Sequence, residues 1–418
     1  MKSRKVGAMS GEVSEIVTGG PWSPLRIAMY RSLWIAALVS NVGTFMHVVA
    51  AGWAMTSLTD SPTLVGLVQT SWAVPGFVLA LHAGAFADMV ERRRLIALTQ
   101  VLALAIAAAL GVLEMTGNLG VTTLLVGTFL ESVALTIAAP AFMALTPQIV
   151  GTQYLSQAFG LDSVSRNIAQ SVGPALAGAV IAFTSPGAVF MLNAVSFVGI
   201  LLVVKKLPAF SVQVHRDEKI NRVILGGIKH VVHTTNLRNI AMRLALMLCA
   251  TASLNAILPV VAKNLLNVDA SGFGILAGAL GVGAVLAVWL LPLFRRHMSS
   301  ESMLLLAAFM WAGAVVIFAL VRGLVAAVPI LVLNGAALMV MINTLFSTFI
   351  AQLPDHLRGR GSSIGMLMAW LGTSIGAFAW GFTASSTSVR VALIASAAVT
   401  AGIGVLNRVV LPLGADTN

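Results

Sequence analysis

The chain has 418 residues, of which 58% are hydrophobic and only 9% charged, with a net charge of +11. A water-soluble globular protein carries roughly 25% charged residues, so this chain has too few charges to solvate a surface of its size. That composition excludes a soluble globular domain and makes lipid the solvent.

A membrane-crossing helix needs about 20 mostly apolar residues. Breaking the sequence at charges, Pro/Gly turns and polar clusters predicts twelve such helices, over 31–58, 62–86, 95–115, 120–145, 156–183, 187–204, 239–262, 270–294, 301–321, 326–350, 361–384 and 390–411. The runs are continuous, which excludes a transmembrane barrel with its short alternating segments. Residues 1–30 read as an N-terminal tail without a signal-peptide pattern, so span 1 is expected to be an uncleaved anchor. Spans 1–6 (31–204) and 7–12 (239–411) form two six-helix halves, joined by a linker over 205–238 and followed by a tail over 412–418. Two halves of six spans are the arrangement of a duplicated transporter. Within the linker, Ile220, Val223, Ile224, Ile228, Val231 and Val232 recur at helical spacing among basic residues. They predict a short amphipathic helix, lying on the inner membrane surface or solvated.

The positive charge sorts by position. With the termini inside, Lys2, Arg4, Lys5, Arg26, Arg31, Arg92, Arg93 and Arg94 fall on one side. So do the basic residues of the linker, Arg295, Arg296, Arg358, Arg360 and Arg408, leaving only Lys263, Arg322 and Arg390 opposite. This is the positive-inside rule, so the charge reports topology rather than a nucleic-acid partner, and both termini are expected in the cytoplasm. The single cysteine, Cys249, lies inside span 7 and forms no intramolecular disulfide.

Glycines concentrate in spans 5, 8 and 11, with four-residue spacing at Gly274/Gly278, Gly361/Gly365 and Gly372/Gly376. Small residues at that spacing let helices approach closely in lipid, as a static packing or as a sliding interface.

Several segments now carry a resemblance. Gly84-Ala-Phe-Ala-Asp88-Met-Val-Glu-Arg92-Arg93-Arg94 is similar to the major facilitator signature between spans 2 and 3, with Met89 and Glu91 where that pattern has Arg and Gly. Leu38-Val-Ser-Asn41-Val-Gly43-Thr44 in span 1 and Leu357-Arg358-Gly359-Arg360 before span 11 add to it. Asn167 followed by Gly173-Pro174-Ala-Leu-Ala-Gly178 resembles the antiporter signature of exporters. From about residue 29 to 411 the chain resembles the major facilitator superfamily, in particular the bacterial exporter branch that includes the enterobactin exporter family.

The resemblance implies an all-α polytopic fold of two six-helix bundles around a central cavity, with spans 2/11 and 5/8 in sliding contact. It also implies alternating access, in which the bundles rock about a midplane site. Gating falls to Gly84, Asp88, Arg92, Arg93, Gly173, Pro174, Arg358 and Arg360. Asp88 is expected to face the positive end of span 11, or to pair with Arg92 or Arg93.

Ionisable groups at membrane depth are costly and usually functional. Glu131 lies near the middle of span 4, Arg166 about 15 Å into span 5, and Asp162 one turn before Arg166 on the same face. Glu131 and Arg166 are expected at similar depth, with Arg166 held by one or both acids. These three residues are the expected proton-coupling group, the alternative being a permanent salt bridge between spans 4 and 5. Asn41, Thr44, His47, Gln69, Trp72, Asn255, Asn334, Asn343, Trp370, Thr373 and Ser374 are candidates for the substrate cavity, or for interhelical hydrogen bonds.

Gly272-Phe-Gly274 lacks the preceding strand a dinucleotide site needs. His230 and His233 have no accompanying ligands for a metal, and no nucleophile–base constellation or phosphate loop appears. The sequence therefore predicts a secondary transporter rather than an enzyme, monomeric, with no cofactor and no metal, whose partners are protons, a small-molecule substrate and lipid. The expected activity is proton-driven export of an amphiphile such as a siderophore or hydrophobic drug across a bacterial inner membrane. Import of a nutrient, lysolipid transport and a fold-retaining receptor are the alternatives.

Overall fold

The computed structural model describes residues 20–89, 91–207, 229, 231–354 and 358–411, and the backbone alone for 80–89 and 358–363. Among these residues run twelve long helices: α1 (Ala28–Leu58), α2 (Pro62–Met89), α3 (Arg92–Met115), α4 (Val121–Val150), α5 (Leu155–Phe183) and α6 (Pro186–Lys206). The second half holds α7 (Thr235–Val260), α8 (Ala270–Arg295), α9 (Ser300–Leu320), α10 (Leu324–Ala351), α11 (Arg358–Ser386) and α12 (Val389–Val410). Each predicted span is one helix, its ends displaced by little more than a turn.

The largest displacement has a clear cause. Span 4 was expected to stop at 145, before Pro147, yet α4 continues through both Pro140 and Pro147 to Val150. In a membrane bundle, neighbouring helices and local adjustments satisfy the carbonyl groups that an internal proline frees. The helix stops instead at Gly151, whose φ of 75° suits glycine and few other residues. Side-chain caps start several other helices: Ser185 accepts from the Gly187 N–H at α6, Asp269 from Gly272 at α8, Ser299 from Ser302 at α9 and Ser388 from Val391 at α12.

Eleven of the twelve are long and apolar enough to cross a membrane by length and composition. The exception is α5, where Asp162, Ser163, Ser165, Arg166, Asn167, Gln170 and Ser171 interrupt the apolar run. A helix this polar in the middle of a bundle has to turn those groups away from lipid.

The first six helices pack together, α1 on α5 and α6, α3 on α4 and α6, and α2 on α4. The last six do likewise, α7 on α11 and α12, α8 on α10, and α9 on α10 and α12. Between the halves, the extensive contacts are α2 with α11 and α5 with α8, the two pairs implied by the resemblance. Trp311 and Phe318 of α9 are sealed in the core of the second half. Bulky apolar side chains such as Phe183, Trp289 and Leu320 stand exposed on the bundle surface, as lipid-facing residues do. The predicted linker helix falls mostly on residues outside those described.

Candidate functional site

Twelve antiparallel passes put the start of α1 and the end of α12 on one side, called here the terminal face. At the opposite face the two halves meet closely. In α5 and α8, a Cβ on Gly178 would run into the backbone of Gly274, one on Gly278 would sit 2.9 Å from the Ala175 Cβ, and one on Gly281 would sit 2.5 Å from the Ser171 carbonyl. In α2 and α11, Gly66 meets Ala377 and Gly381, and the Thr63 hydroxyl is 2.7 Å from that of Ser385. Trp53 of α1 stacks on Phe273 of α8 with ring centroids 5.1 Å apart. The Gly274/Gly278 pair thus brings backbones together across the seam, whereas Gly372 and Gly376 of α11 lie against the Ala245 and Cys249 carbonyls of α7, and Gly365 against Phe349 of α10, all within the second half.

Glu131 lies in a different place, sealed within the first half. Its carboxylate Oε1 accepts from the Asn193 side-chain amide of α6 at 2.7 Å, and its Oε2 is 3.2 Å from Nδ1 of His47 on α1. Both Glu131 and His47 have no solvent exposure. The His47 ring is 4.7 Å from that of Phe190, and among the described residues neither its Nδ1 nor its Nε2, nor Glu131 Oε2, makes a hydrogen bond. One turn before Glu131, the Thr128 hydroxyl is likewise buried without a partner.

This arrangement differs from the pairing expected between Glu131 and Arg166. Counting about 1.5 Å per residue from the helix ends at the terminal face, Glu131 is roughly 12 Å farther from that face than Arg166. Moreover α4 packs on α2 and α3, whereas α5 packs on α1 and α8, so a short connecting loop does not make the two helices partners. Among the described residues Arg166 pairs with Asp162 alone, Nη2 to Oδ2 at 2.8 Å, and the two side chains are 56% and 38% exposed. The three expected coupling residues therefore form two sites: a sealed carboxylate and an accessible ion pair.

The other candidates divide similarly. Asn41 donates to the Ser165 hydroxyl at 3.1 Å, an interhelical bond between α1 and α5, with Thr44 half-buried beside it. Trp370 packs over Gly76, and the Ser374 carbonyl accepts from the Thr70 hydroxyl at 3.2 Å, so both belong to the α2–α11 seam. The Trp72 carbonyl accepts from Ser132 at 2.6 Å. Asn334 is buried and bonds the Ile330 carbonyl of its own helix. Gln69, Asn343 and Thr373 are half-buried, and Asn255 is exposed within an otherwise buried stretch of α7.

Among the expected gating residues, Arg93 caps α6 by donating to the Leu207 and Lys205 carbonyls at 2.9 Å each, and Arg92 donates to Ala144 of α4 at 3.3 Å. Both are anchored inside the first half. Gly173 lets α5 approach Phe45 of α1, next to Pro174. The side chains of Asp88, Arg358 and Arg360, and the surroundings of Gly84, lie outside what is described. Asn193 was not anticipated, although a polar residue in the apolar run of span 6 was the same kind of signal that singled out the others.

The sequence profile of the transmembrane secretion effector family matches residues 19–418. The chain belongs to this family of major facilitator transporters. It is 23% identical over 293 residues to the staphyloferrin A transporter of Staphylococcus aureus, covering 68% of this chain and 72% of that one. It is 24% identical over 353 residues to the enterobactin exporter EntS of Shigella boydii, covering 83% of each. In fold it is similar to a bacterial homologue of the human lysosomal transporter Spinster, solved inward-facing and unoccupied. The TM-score there is 0.73 at 12% identity, over 93% of this chain and 96% of that one. The chain is a multi-pass membrane protein of the transporter superfamily.

Proposed function

We propose that this transporter is a proton-driven exporter of an amphiphilic small molecule, working by alternating access in a bacterial inner membrane with its terminal face in the cytoplasm. The observation that carries the reading is the sealed Glu131–His47–Asn193 cluster at membrane depth. A carboxylate without solvent needs a compensating cation or a proton. Its neighbour is an imidazole, itself a proton carrier. One proton shared between the two leaves the pair neutral, whichever residue holds it. Removing that proton leaves a single negative charge that faces only the Asn193 amide and a neutral imidazole. The loaded pair suits a sealed interior, and the unloaded pair requires water, which rocking of the halves would admit. Such a group binds a proton in one state and releases it in the other.

Export is supported by the family's description as a secretion effector and by the likeness to EntS. The lysine and arginine bias supports the orientation. A dominantly apolar interior with few charges fits an amphiphile better than a highly charged metabolite. The test is accumulation in cells with and without the protein, across siderophores and cationic dyes. Lower accumulation of at least one compound, restored by a protonophore, is the expected result; accumulation that rises with the protein would reverse the direction.

A further inference from the structure

The four faces of α5 have different neighbours. Leu161, Ser165, Ala169 and Gly173 are buried, with Ser165 bonded to Asn41 and Gly173 against Phe45, so this face packs on α1. Ser171, Ala175 and Gly178 meet Gly281, Gly278 and Gly274 of α8. Val164, Ile168, Val172 and Leu176, four apart and exposed, form an apolar strip suited to lipid. The remaining strip, Asp162, Arg166 and Gln170, lies between the α1 and α8 faces and opposite the lipid strip. It therefore points to the interior between the halves.

Depth sharpens this placement. Arg166 is eleven residues into α5, about 16 Å along the helix, while a bilayer's hydrocarbon core is about 30 Å thick. A guanidinium 56% exposed at that level cannot stand against acyl chains, so it faces a watered path. Arg243, the other arginine within a described helix away from its first or last turn, is buried and held by Glu301 at 2.7 Å on both nitrogens. Arg166 by contrast makes one contact to Asp162, and a guanidinium offers five N–H donors in a planar fork. A half-exposed i,i+4 pair is held weakly, and the fork matches a carboxylate with two parallel hydrogen bonds.

We propose that Arg166, flanked by Asp162 and Gln170, is the subsite that receives an anionic head group, a carboxylate or an oxyanion of similar geometry, of the transported amphiphile. The proposal rests on the transporter reading and names its substrate class. Asp162 occupies the fork when no solute is present, and Gln170, one turn nearer the opposite face, offers a further amide donor.

The test is equilibrium binding to the full chain in phosphatidylcholine nanodiscs, without a gradient, using sub-micellar deoxycholate and its methyl ester. These probes differ only in the carboxylate. The unaltered protein should bind the acid at least ten-fold more tightly than the ester. R166Q should abolish that preference while leaving ester binding unchanged, which also reports that the variant is folded. R166K should keep part of the preference, and D162N should tighten acid binding several-fold by removing the competitor. Equal affinity for the two probes, binding of neither by the unaltered protein, or an R166Q variant that weakens both alike would overturn the proposal. Protonophore-sensitive efflux separates the two readings. Its persistence without a carboxylate preference removes the subsite alone, and a carboxylate preference without driven efflux removes the exporter reading alone.

Discussion

His47 Nδ1 stands 3.2 Å from Glu131 Oε2, and neither side chain is exposed to solvent. The two residues come from α1 and α4, with the Asn193 amide of α6 completing the set. Three helices of one half thus converge on a single carboxylate whose charge depends on where a proton sits.

Replacing Glu131 by Gln keeps the shape and the Asn193 contact but removes the titrating group. In proteoliposomes, E131Q should lose uphill transport driven by an imposed pH difference while retaining downhill counterflow of the same solute. His47→Asn should weaken coupling by a smaller factor, since the carboxylate stays. Wild-type pH-driven flux in E131Q would assign the proton to another group.

At the α5–α8 seam, a side chain on Gly178 would occupy the space of the Gly274 backbone. G178V should therefore keep the opposite face from closing. Spin labels at Asp60 and Thr387, exposed on that face in different halves, should move apart by several ångströms in double electron–electron resonance. Gly199 of α6 has open space where a Cβ would go. G199A should leave the distance unchanged and, through helix propensity, be neutral or stabilising by up to about 1 kcal/mol.

The helices were legible because apolar length is a local property of the sequence; glycine spacing marked close approaches in spans 5, 8 and 11, and the resemblance alone implied which spans pair across the halves. Pairing at the site was not legible. Asn41, Thr44 and His47 follow one another at steps of three in the sequence, which reads as one side of a helix, yet Asn41 reaches Ser165 on α5 and His47 reaches Glu131 on α4. Three-residue steps drift around a helix of 3.6 residues per turn, and six residues carry the side chain to another neighbour. Arg166 and Glu131 were expected as partners because their helices follow one another. The choice between a sealed carboxylate–imidazole contact and an accessible ion pair is set by α1, which stands against both helices and takes the Glu131 contact for itself.

Arg243 and Glu301 illustrate the same limit, since 58 residues separate a bidentate pair with both contacts at 2.7 Å. The Arg243 side chain is only 3% exposed, so removing its partner strands a buried cation, a loss of about 3–5 kcal/mol. E301L should lower the thermal unfolding temperature in detergent markedly, and the double variant R243M/E301L should recover a large part of that loss. A double variant no more stable than E301L would show that the pair does more than neutralise itself.

Lys263 supplies a charged contact across the halves at the opposite face. It lies in the π-helical turn Val261–Leu265 that extends α7, and its ammonium donates to the Thr56 carbonyl in the last turn of α1. The final carbonyls of a helix have no partner within it and carry the negative end of its dipole, so a lysine there both fills a vacant acceptor and neutralises partial charge. The contact joins the two halves, so on the proposed alternating-access cycle it breaks when this face opens, and the Trp53–Phe273 stack sits close by. A charge at a helix end contributes roughly 1 kcal/mol, which corresponds to about a five-fold change in the balance between closed and open. K263M keeps most of the stem and removes the ammonium. It should raise the modification rate of a cysteine placed at Thr63, on the same face, by about that factor, while K263R should preserve the wild-type rate. An unchanged rate in K263M would assign closure to the glycine seams alone, with Lys263 following the movement rather than biasing it.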